Sequence, residues 1–364
     1  MQFLSAAHMR IKSAVTFDLN PLTREYDIMA IFGNSRFRRL RVLLLAAILS
    51  ISAHAQMCLT STDMDEPTRS ALEGAAMRYF DLAARGDAAA LKQNAIAALA
   101  ANFSGVESAV KDNQSNLAGA RAKPRPPFLL KVEGDKPLER AEFLCGVFGK
   151  NGQTANSSAF VIPSLPPGTY GVATLDITGA PKPQTVSFVL QQQGLDWKIG
   201  GFYVHGTQIS GHDSDWFADK ARAFKARGQN RDAWLYYQQA RDLAVPVPFM
   251  STLVTDKLYD ESQAVRPADL PTDGNTIDLV AAGKTYHLTS MFPVAVGQDL
   301  DVVVKYQAAD VSHTAETFKN NMDVIHALVA KYPELREAFD GVVARAAEPS
   351  GRDYGAMLPM KEIK

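Results

Sequence analysis

Residues 79–91 read Tyr-Phe-Asp-Leu-Ala-Ala-Arg-Gly-Asp-Ala-Ala-Ala-Leu and predict the end of one helix, a turn and the start of another. Gly86 can end the first helix, and Asp87 can cap the second. The helix before the turn has one apolar face, because its apolar residues recur at steps of three and four: Leu72, Ala75, Ala76, Tyr79, Phe80 and Ala83. Residues 66–103 are therefore predicted to form two helices.

The chain becomes strand-like after a proline-rich break at residues 123–127, which is predicted to be an exposed loop. Asn151-Gly152 and Gln193-Gly194 have the composition of hairpin turns, and Gly200-Gly201 favours a β-bulge. Helices followed by antiparallel strands indicate the α+β class. Apolar runs bounded by Pro and Gly mark the strands, at 141–149, 159–162, 170–177, 185–191 and 195–199.

This order of elements resembles the NTF2-like (SnoaL-like) family over residues 70–206. Residues 79–91 match the helix–Gly-Asp–helix start of such domains, and Asp196-Trp197-Lys198-Ile199 matches their end. The resemblance implies a cone-shaped α+β domain over residues 66–206. The aromatic and carboxylate residues that usually line the family's pocket are not recognisable between these two motifs. The resemblance therefore implies a fold and no particular activity.

Residues 213–246 resemble a single tetratricopeptide repeat. Small residues stand where two antiparallel helices would touch, aromatic residues fill the space between them, and a glycine makes the turn. No second copy follows at the ~34-residue period of such repeats, and residues 251–264 keep only a generic amphipathic helix. A single hairpin needs a neighbour to bury its apolar face, so the segment 213–265 must pack on another unit. The matching positions are Phe217, Ala221, Phe224, Gly228, Ala233, Tyr237 and Ala240.

A third unit follows the polar link at residues 266–275. Three strands are predicted at 276–280, 284–289 and 300–306, with turns at Gly283 and at Gly297-Gln298-Asp299. Apolar residues at helical spacing then predict a helix over 313–347 with a break near Pro333. Residues 276–364 are therefore expected to form a small α+β module.

The segment 29–55 has the order of a secretory signal, with an arginine cluster, the apolar run 42–51 and then Ala53-His54-Ala55. The run is too short for the ~20 residues that span a bilayer. Cleavage is expected between Ala55 and Gln56, which predicts a periplasmic or secreted bacterial protein without a membrane span. Residues 1–28 are interpreted as the product of a start codon assigned too early. The alternative is a genuine N-terminal extension.

The mature part would carry 31 basic and 36 acidic residues, a formal charge of −5, which argues against nucleic acid as a partner. Two cysteines remain, Cys58 and Cys145. An oxidising compartment would permit a disulfide between them. The alternative is a buried, unpaired Cys145 in an apolar strand, with Cys58 in a frayed tail.

The common dinucleotide, phosphate-loop, nucleophile-elbow and zinc motifs are absent from the sequence, and no cofactor is predicted. The one histidine cluster is His205 and His212 followed by Asp213, which could bind a metal or supply acid/base groups. The competing interpretation makes Asp213 or a neighbour the cap of the next helix and places both histidines in a loop.

These patterns favour a non-enzymatic protein that binds a peptide or protein partner through an exposed, aromatic-rich groove of the helical hairpin. The alternative is a pocket inside the cone that binds a small molecule or carries a dispersed acid/base pair around His205. A metal-dependent activity at His205, His212 and Asp213 is a third hypothesis. The sequence leaves open whether the protein is an enzyme.

Overall fold

A computed structural model describes residues 56–147, 157–271, 275–297 and 299–364. The predicted N-terminal extension, the signal segment, the Asn151-Gly152 turn and Gln298 lie outside the described residues. The chain is a mixture of helices and three sheets, which confirms the α+β class. No helix in the described ranges is long and apolar enough to cross a membrane.

Residues 66–103 form three helices where two were predicted, and a fourth helix follows. The first, α1, begins after Asp65, whose side chain accepts a hydrogen bond from the Thr68 backbone N–H at 2.8 Å. It ends at the predicted turn, where Gly86 adopts a φ of 72°. The second and third helices are short because Ala-rich sequence with few large apolar residues provides little burial to extend them. The bounds are α1 (Glu66–Ala84), α2 (Ala88–Gln93), α3 (Ala97–Ala101) and α4 (Ser104–Leu117).

A six-stranded antiparallel sheet lies under these helices in the order β1-β3-β6-β7-β8, with β2 paired to β6. The prediction of a loop at 123–127 is wrong at its start, because Lys123 and Pro124 belong to β2 and pair with Asp176 and Leu175. A proline is tolerated there because the strand is short and lies at an edge. The strands are β1 (Gln56–Leu59), β2 (Arg121–Pro124), β3 (Phe128–Val132), β6 (Gly168–Thr178), β7 (Gln184–Gln193) and β8 (Asp196–Gly206).

Two glycines shape this sheet. Gly171 of β6 lies directly beneath Leu72 of α1, and a Cβ there would overlap the leucine side chain. Gly171 therefore allows α1 to approach the sheet closely. The predicted bulge is confirmed, because the β7–β8 register shifts between Val189 and Leu190, opposite Gly200.

The other face of the large sheet is covered by a three-stranded sheet made of β4 (Leu138–Cys145), β5 (Ser158–Leu165) and β9 (Met250–Thr252). Phe143 and Phe160 from the small sheet pack against Leu130 and Val172 from the large one. A disulfide joins Cys58 of β1 to Cys145 of β4, with Cα atoms 5.1 Å apart. Side chains therefore fill both faces of the large sheet.

The predicted helical hairpin is present as α5 (Ser214–Ala226) and α6 (Asn230–Ala244), and α7 (Leu253–Gln263) packs beside it. Its aromatic residues belong to the core of the C-terminal unit. The Tyr236 hydroxyl donates to the Ala338 carbonyl, and its ring lies 5.8 Å from that of Phe339. The expectation of an exposed aromatic groove is therefore wrong, because the hairpin buries this face against the C-terminal unit: Phe217, Phe224, Trp234, Tyr236 and Tyr237.

The C-terminal unit is a five-stranded sheet in the order β10-β11-β12-β13-β14, antiparallel except for the parallel pair β12–β13. Helix α8 makes the crossover between these two strands and is followed by the short α9. The predicted helix over 313–347 is wrong after residue 338, because 341–347 pair with 301–307 as a buried strand. The elements are β10 (Ile277–Ala281), β11 (Lys284–Val296), β12 (Asp299–Gln307), α8 (Thr314–Lys331), α9 (Leu335–Ala338), β13 (Gly341–Ala347), β14 (Asp353–Pro359) and a 3₁₀ turn at Met360–Glu362.

Candidate functional site

The structure gives Asp213 the capping role. Its carboxylate accepts a hydrogen bond from the Trp216 backbone N–H at 3.1 Å, at the first turn of α5. The neighbouring Ser214 hydroxyl donates to the Ala240 carbonyl at 2.7 Å and fixes this helix end to α6. Helix capping and helix–helix contacts therefore account for the polar residues at this junction, and no catalytic or metal-binding role is needed to explain them.

The two candidate histidines make separate contacts. His212 stacks on Trp216, with ring centroids 3.7 Å apart and planes within 8° of parallel. His205 Nε2 lies 2.9 Å from the carbonyl oxygen of Asp242 in α6. Within the described ranges, no group of three His, Cys, Asp or Glu side chains is arranged to hold a metal ion. The absence of a cofactor stays a prediction.

An open cleft of about 420 Å³ separates α5 from α7 on the outer side of the hairpin. Carboxylates and cations surround its rim, whereas the α7 side also presents apolar side chains. Val254 is 53% exposed and Leu253 is 37% exposed at the start of α7. The lining residues are Asp215, Ala218, Asp219, Arg222, Val254, Lys257 and Leu258.

Hydrogen bonds hold the two sides of this α5–α7 cleft at a fixed separation. Across the cleft, Arg222 Nε and Nη2 donate to Glu261 Oε2 and Oε1 at 2.9 and 3.1 Å. Within α5, Arg222 Nη1 also donates to Asp219 Oδ1 at 2.8 Å. The hydrogen bond from Arg222 lowers the pKa of Glu261 below its usual value. Burial, together with Glu261, raises the pKa of the nearby Tyr237 to about 12, so its phenol stays protonated at neutral pH. The cleft is thus preorganised.

The start of α7 is equally well defined. Thr252 and Thr255 form a reciprocal capping box, with backbone-to-hydroxyl distances of 2.8 and 3.3 Å. The cap fixes the direction of Leu253 and Val254, which leaves them at the surface. Sequence reasoning missed this cleft, although the apolar pair directly after a threonine cap was a readable signal.

A second cleft, of about 530 Å³, lies between α1 and the start of β8. The Tyr79 hydroxyl donates to the Trp197 carbonyl at 2.5 Å and ties the two elements together. Burial raises the pKa of Tyr79. Neither this cleft nor the α5–α7 cleft includes His205, His212 or Asp213. The lining residues are Arg78, Tyr79, Asp81, Leu82, Arg85, Asn94, Asp196, Trp197 and Lys198.

The charged side chains of the α1–β8 cleft are not paired with one another. In the part of the chain that the structure describes, Arg85, Lys198 and Asp196 take part in no ion pair. Three cations and two carboxylates line the cleft, an excess of one positive charge. This composition can attract a small anion.

Comparison of the chain with protein-family models, with curated proteins and with solved structures finds no match in any of the three. Its function has to be inferred from its own residues.

Proposed function

We propose that the chain is an exported bacterial protein, periplasmic or secreted, that acts by binding a peptide segment of a partner protein. Export is supported by the sequence of the signal segment and by the disulfide that joins Cys58 to Cys145. Such bonds persist in oxidising compartments and are rare in the cytosol.

We also propose that residues 66–206 are a variant of the NTF2-like fold. The layer of helices on a strongly hydrogen-bonded antiparallel sheet supports this assignment. The small sheet that covers the opposite face is an addition to the expected cone. Because both faces are filled by side chains, binding inside the cone is replaced here by binding in surface clefts.

The observation that carries the binding proposal is the exposed Val254 in the preorganised α5–α7 cleft. An apolar side chain in a rigid cleft with a polar rim provides a pocket for an apolar anchor of a partner. Three carboxylates, Asp215, Asp219 and Glu261, lie around this cleft. Two cations, Arg222 and Lys257, lie with them, so the net charge of the rim is negative. We therefore propose an apolar anchor flanked by a Lys or Arg as the recognised feature.

The test uses a random peptide library displayed on phage and the mature protein as bait. The enriched peptides are synthesised, and their dissociation constants are measured by fluorescence anisotropy. We expect Val254→Glu to weaken binding at least about tenfold, because it places a charge where the apolar anchor would lie. The matched control is Val280→Glu, which changes a valine that is 69% exposed on the C-terminal sheet. Failure to enrich any peptide, or equal affinity for both variants, would contradict the proposal.

The α1–β8 cleft supports a second candidate function, the binding of a small anion, because its three cations outnumber its two carboxylates. The expected result is a higher melting temperature of the mature protein in inorganic phosphate or succinate. Arg85→Ala should abolish this shift, whereas Arg121→Ala, which removes an exposed cation elsewhere in the same unit, should preserve it. An equal loss in both variants would point to a general ionic effect.

A further inference from the structure

Strand β14 is an open edge of the C-terminal sheet. It pairs with β13 over all seven of its residues, from Asp353 to Pro359, without a register shift. It is the last strand of the sheet order, so nothing pairs with its other side among the described strands. Its sequence, Asp-Tyr-Gly-Ala-Met-Leu-Pro, contains a single charged residue. Long, regular edges of low charge readily pair with another strand.

The alternation of hydrogen-bonded residues along β14 shows which of its backbone groups face outward. The Met360 N–H donates to the Asp340 carbonyl at 2.7 Å, and the Glu348 N–H donates to the Arg352 carbonyl at 2.9 Å. In an antiparallel ladder such bonds involve every second residue, so the even-numbered residues of β14 bond to β13. The odd-numbered residues turn their N–H and C=O groups to the open edge. Asp353, Gly355 and Met357 are all exposed.

Three other sheet edges carry backbone contacts from residues outside their own sheet. The backbone of Ile199 in β8 bonds to the segment 94–96 at 2.9 Å. On β4, the Glu142 N–H donates to the Gln56 side chain at 2.5 Å. On β10, the opposite edge of the C-terminal sheet, the Lys331 ammonium donates to a backbone carbonyl at 3.4 Å. Protection of this kind hinders strand addition. On β14 the Asn321 side chain donates to the Tyr354 carbonyl at 3.2 Å, but that carbonyl belongs to an even-numbered residue and faces β13. Among the described residues, the outward N–H and C=O groups of Asp353, Gly355 and Met357 have no such contact.

The sequence of β14 is complementary to itself. A two-fold axis at Ala356 would set two copies antiparallel, with Gly355 of one copy opposite Met357 of the other. The long Met357 side chain would then cover the space left by a glycine. On the other face of the strand, Tyr354 would lie opposite Leu358, an aromatic–aliphatic cross-strand pair. This register allows about six backbone hydrogen bonds between the copies.

Helix α8 supplies an independent observation beside this edge. The Asn320 side chain accepts hydrogen bonds at 3.1 Å from Tyr286 and Lys284, so its flank faces β11. Phe318 and Met322 are each two residues away from Asn320, about 200° around the helix, and lie on the flank toward β14. Phe318 is 49% exposed. An exposed phenyl ring therefore stands next to the open strand.

We propose that β14 pairs with β14 of a second copy of this chain to form a two-fold homodimer. The two sheets become one continuous ten-stranded sheet, and the two α8 helices lie side by side on it. Phe318 and Met322 pack across the axis, which covers the exposed ring. The interface is isologous, since each copy contributes the same strand and helix flank. It lies on a different unit from the α1–β8 cleft and uses none of the residues of the α5–α7 cleft.

The first test is the mass of the mature protein by analytical ultracentrifugation across a concentration series. We expect a dimer whose dissociation constant rises at least tenfold in Met357→Lys and in Phe318→Glu. Val280→Lys is the control, because it adds the same charge at the opposite edge of the same sheet. All three positions are exposed, and thermal melting monitored by circular dichroism verifies folding. A monomer at every concentration, or dimers unaffected by both variants, would overturn the proposal.

A second test examines the register. Ala356 faces its own copy across the axis as a non-hydrogen-bonded pair, with Cα atoms about 4.5 Å apart, which a disulfide can bridge. We expect Ala356→Cys to form a covalent dimer under mild oxidation, because both native cysteines are already paired. Val280→Cys should remain monomeric on the same non-reducing gel. An Ala356→Cys protein without a covalent dimer would refute this pairing.

Discussion

Reduction of the Cys58–Cys145 disulfide is expected to lower the free energy of unfolding by about 4–5 kcal/mol, because the bond closes a long loop in the unfolded chain. The two cysteines are 87 residues apart. The bond also holds β1 against β4, so its loss frees the start of the mature chain from the small sheet. Chemical denaturation of the mature protein with and without dithiothreitol measures the difference.

The variant Cys58→Ala provides the control for this prediction. It removes the bond from the partly exposed side and leaves the fully buried Cys145 thiol in the core. Its denaturation midpoint should match that of the reduced wild-type protein and should not respond to dithiothreitol. A wild-type midpoint that is the same under oxidising and reducing conditions would show that the loop contributes no stability.

Asp232→Asn is expected to stabilise the protein above neutral pH. Asp232 lies fully buried in the first turn of α6, and neither carboxylate oxygen has a hydrogen-bond partner among the described residues. Burial first, and then the negative charge of Glu334, raise the pKa of this carboxyl from 3.8 to about 7. Arg231 offers limited compensation, because it bridges Glu334 and Asp269.

The direction of the effect follows from proton linkage. Below the unfolded pKa of 3.8, Asp232 is protonated in both states and burial of its charge costs nothing. Between that value and about pH 7 the unfolded chain ionises while the folded chain keeps its proton, so stability falls as pH rises. The total loss is about 4 kcal/mol, at 1.4 kcal/mol per pKa unit. Asparagine cannot ionise and should not show this loss.

Denaturation of wild type and Asp232→Asn at pH 4, 6 and 8 tests the prediction. The two proteins should have similar stability near pH 4 and diverge toward pH 8, with the variant more stable by up to about 4 kcal/mol. Asp112→Asn, at an exposed position on α4, serves as the control and should follow the wild type at every pH. A constant difference between wild type and Asp232→Asn would mean that Asp232 does not titrate in this range.

Local sequence predicted the elements that are stabilised by neighbours in the chain. The apolar face of α1, the hairpin predicted at Gln193-Gly194 and the bulge at Gly200-Gly201 depend on short-range periodicity and glycine geometry. The turn itself is shifted by one residue, to Gly194 and Leu195, because Gln193 still pairs with Asp196. The strand at 341–347 was missed because Gly-Val-Val-Ala-Arg-Ala-Ala suits either a helix or a strand. The strand with which it pairs in parallel lies 40 residues earlier in the chain. Only that tertiary pairing decides whether the segment forms a strand or a helix.

The candidate sites were likewise predictable from the sequence only where the residues in contact are close together in the chain. The capping role of Asp213 was readable, because the capping carboxylate and the backbone N–H that donates to it are three residues apart. The α5–α7 cleft combines Asp215 with Leu258, and the α1–β8 cleft combines Arg85 with Lys198. No spacing rule connects residues so distant in sequence. The aromatic residues of the hairpin looked available for a partner because the sequence does not show that another part of the same chain covers them.

The path of the chain between residues 206 and 252 decides how the protein can be cut. After leaving β8 at Gly206 and forming the hairpin, the backbone returns so that β9 pairs with β5, Met250 opposite Phe160. A fragment truncated at residue 206 would expose the edge of β5 and lose the apolar cover of Val247. A fragment extended to residue 252 would carry a hairpin stripped of its C-terminal partner. Neither fragment can bury its own apolar surface. Truncated fragments of this protein should therefore be insoluble, whereas the full-length chain with single substitutions should fold.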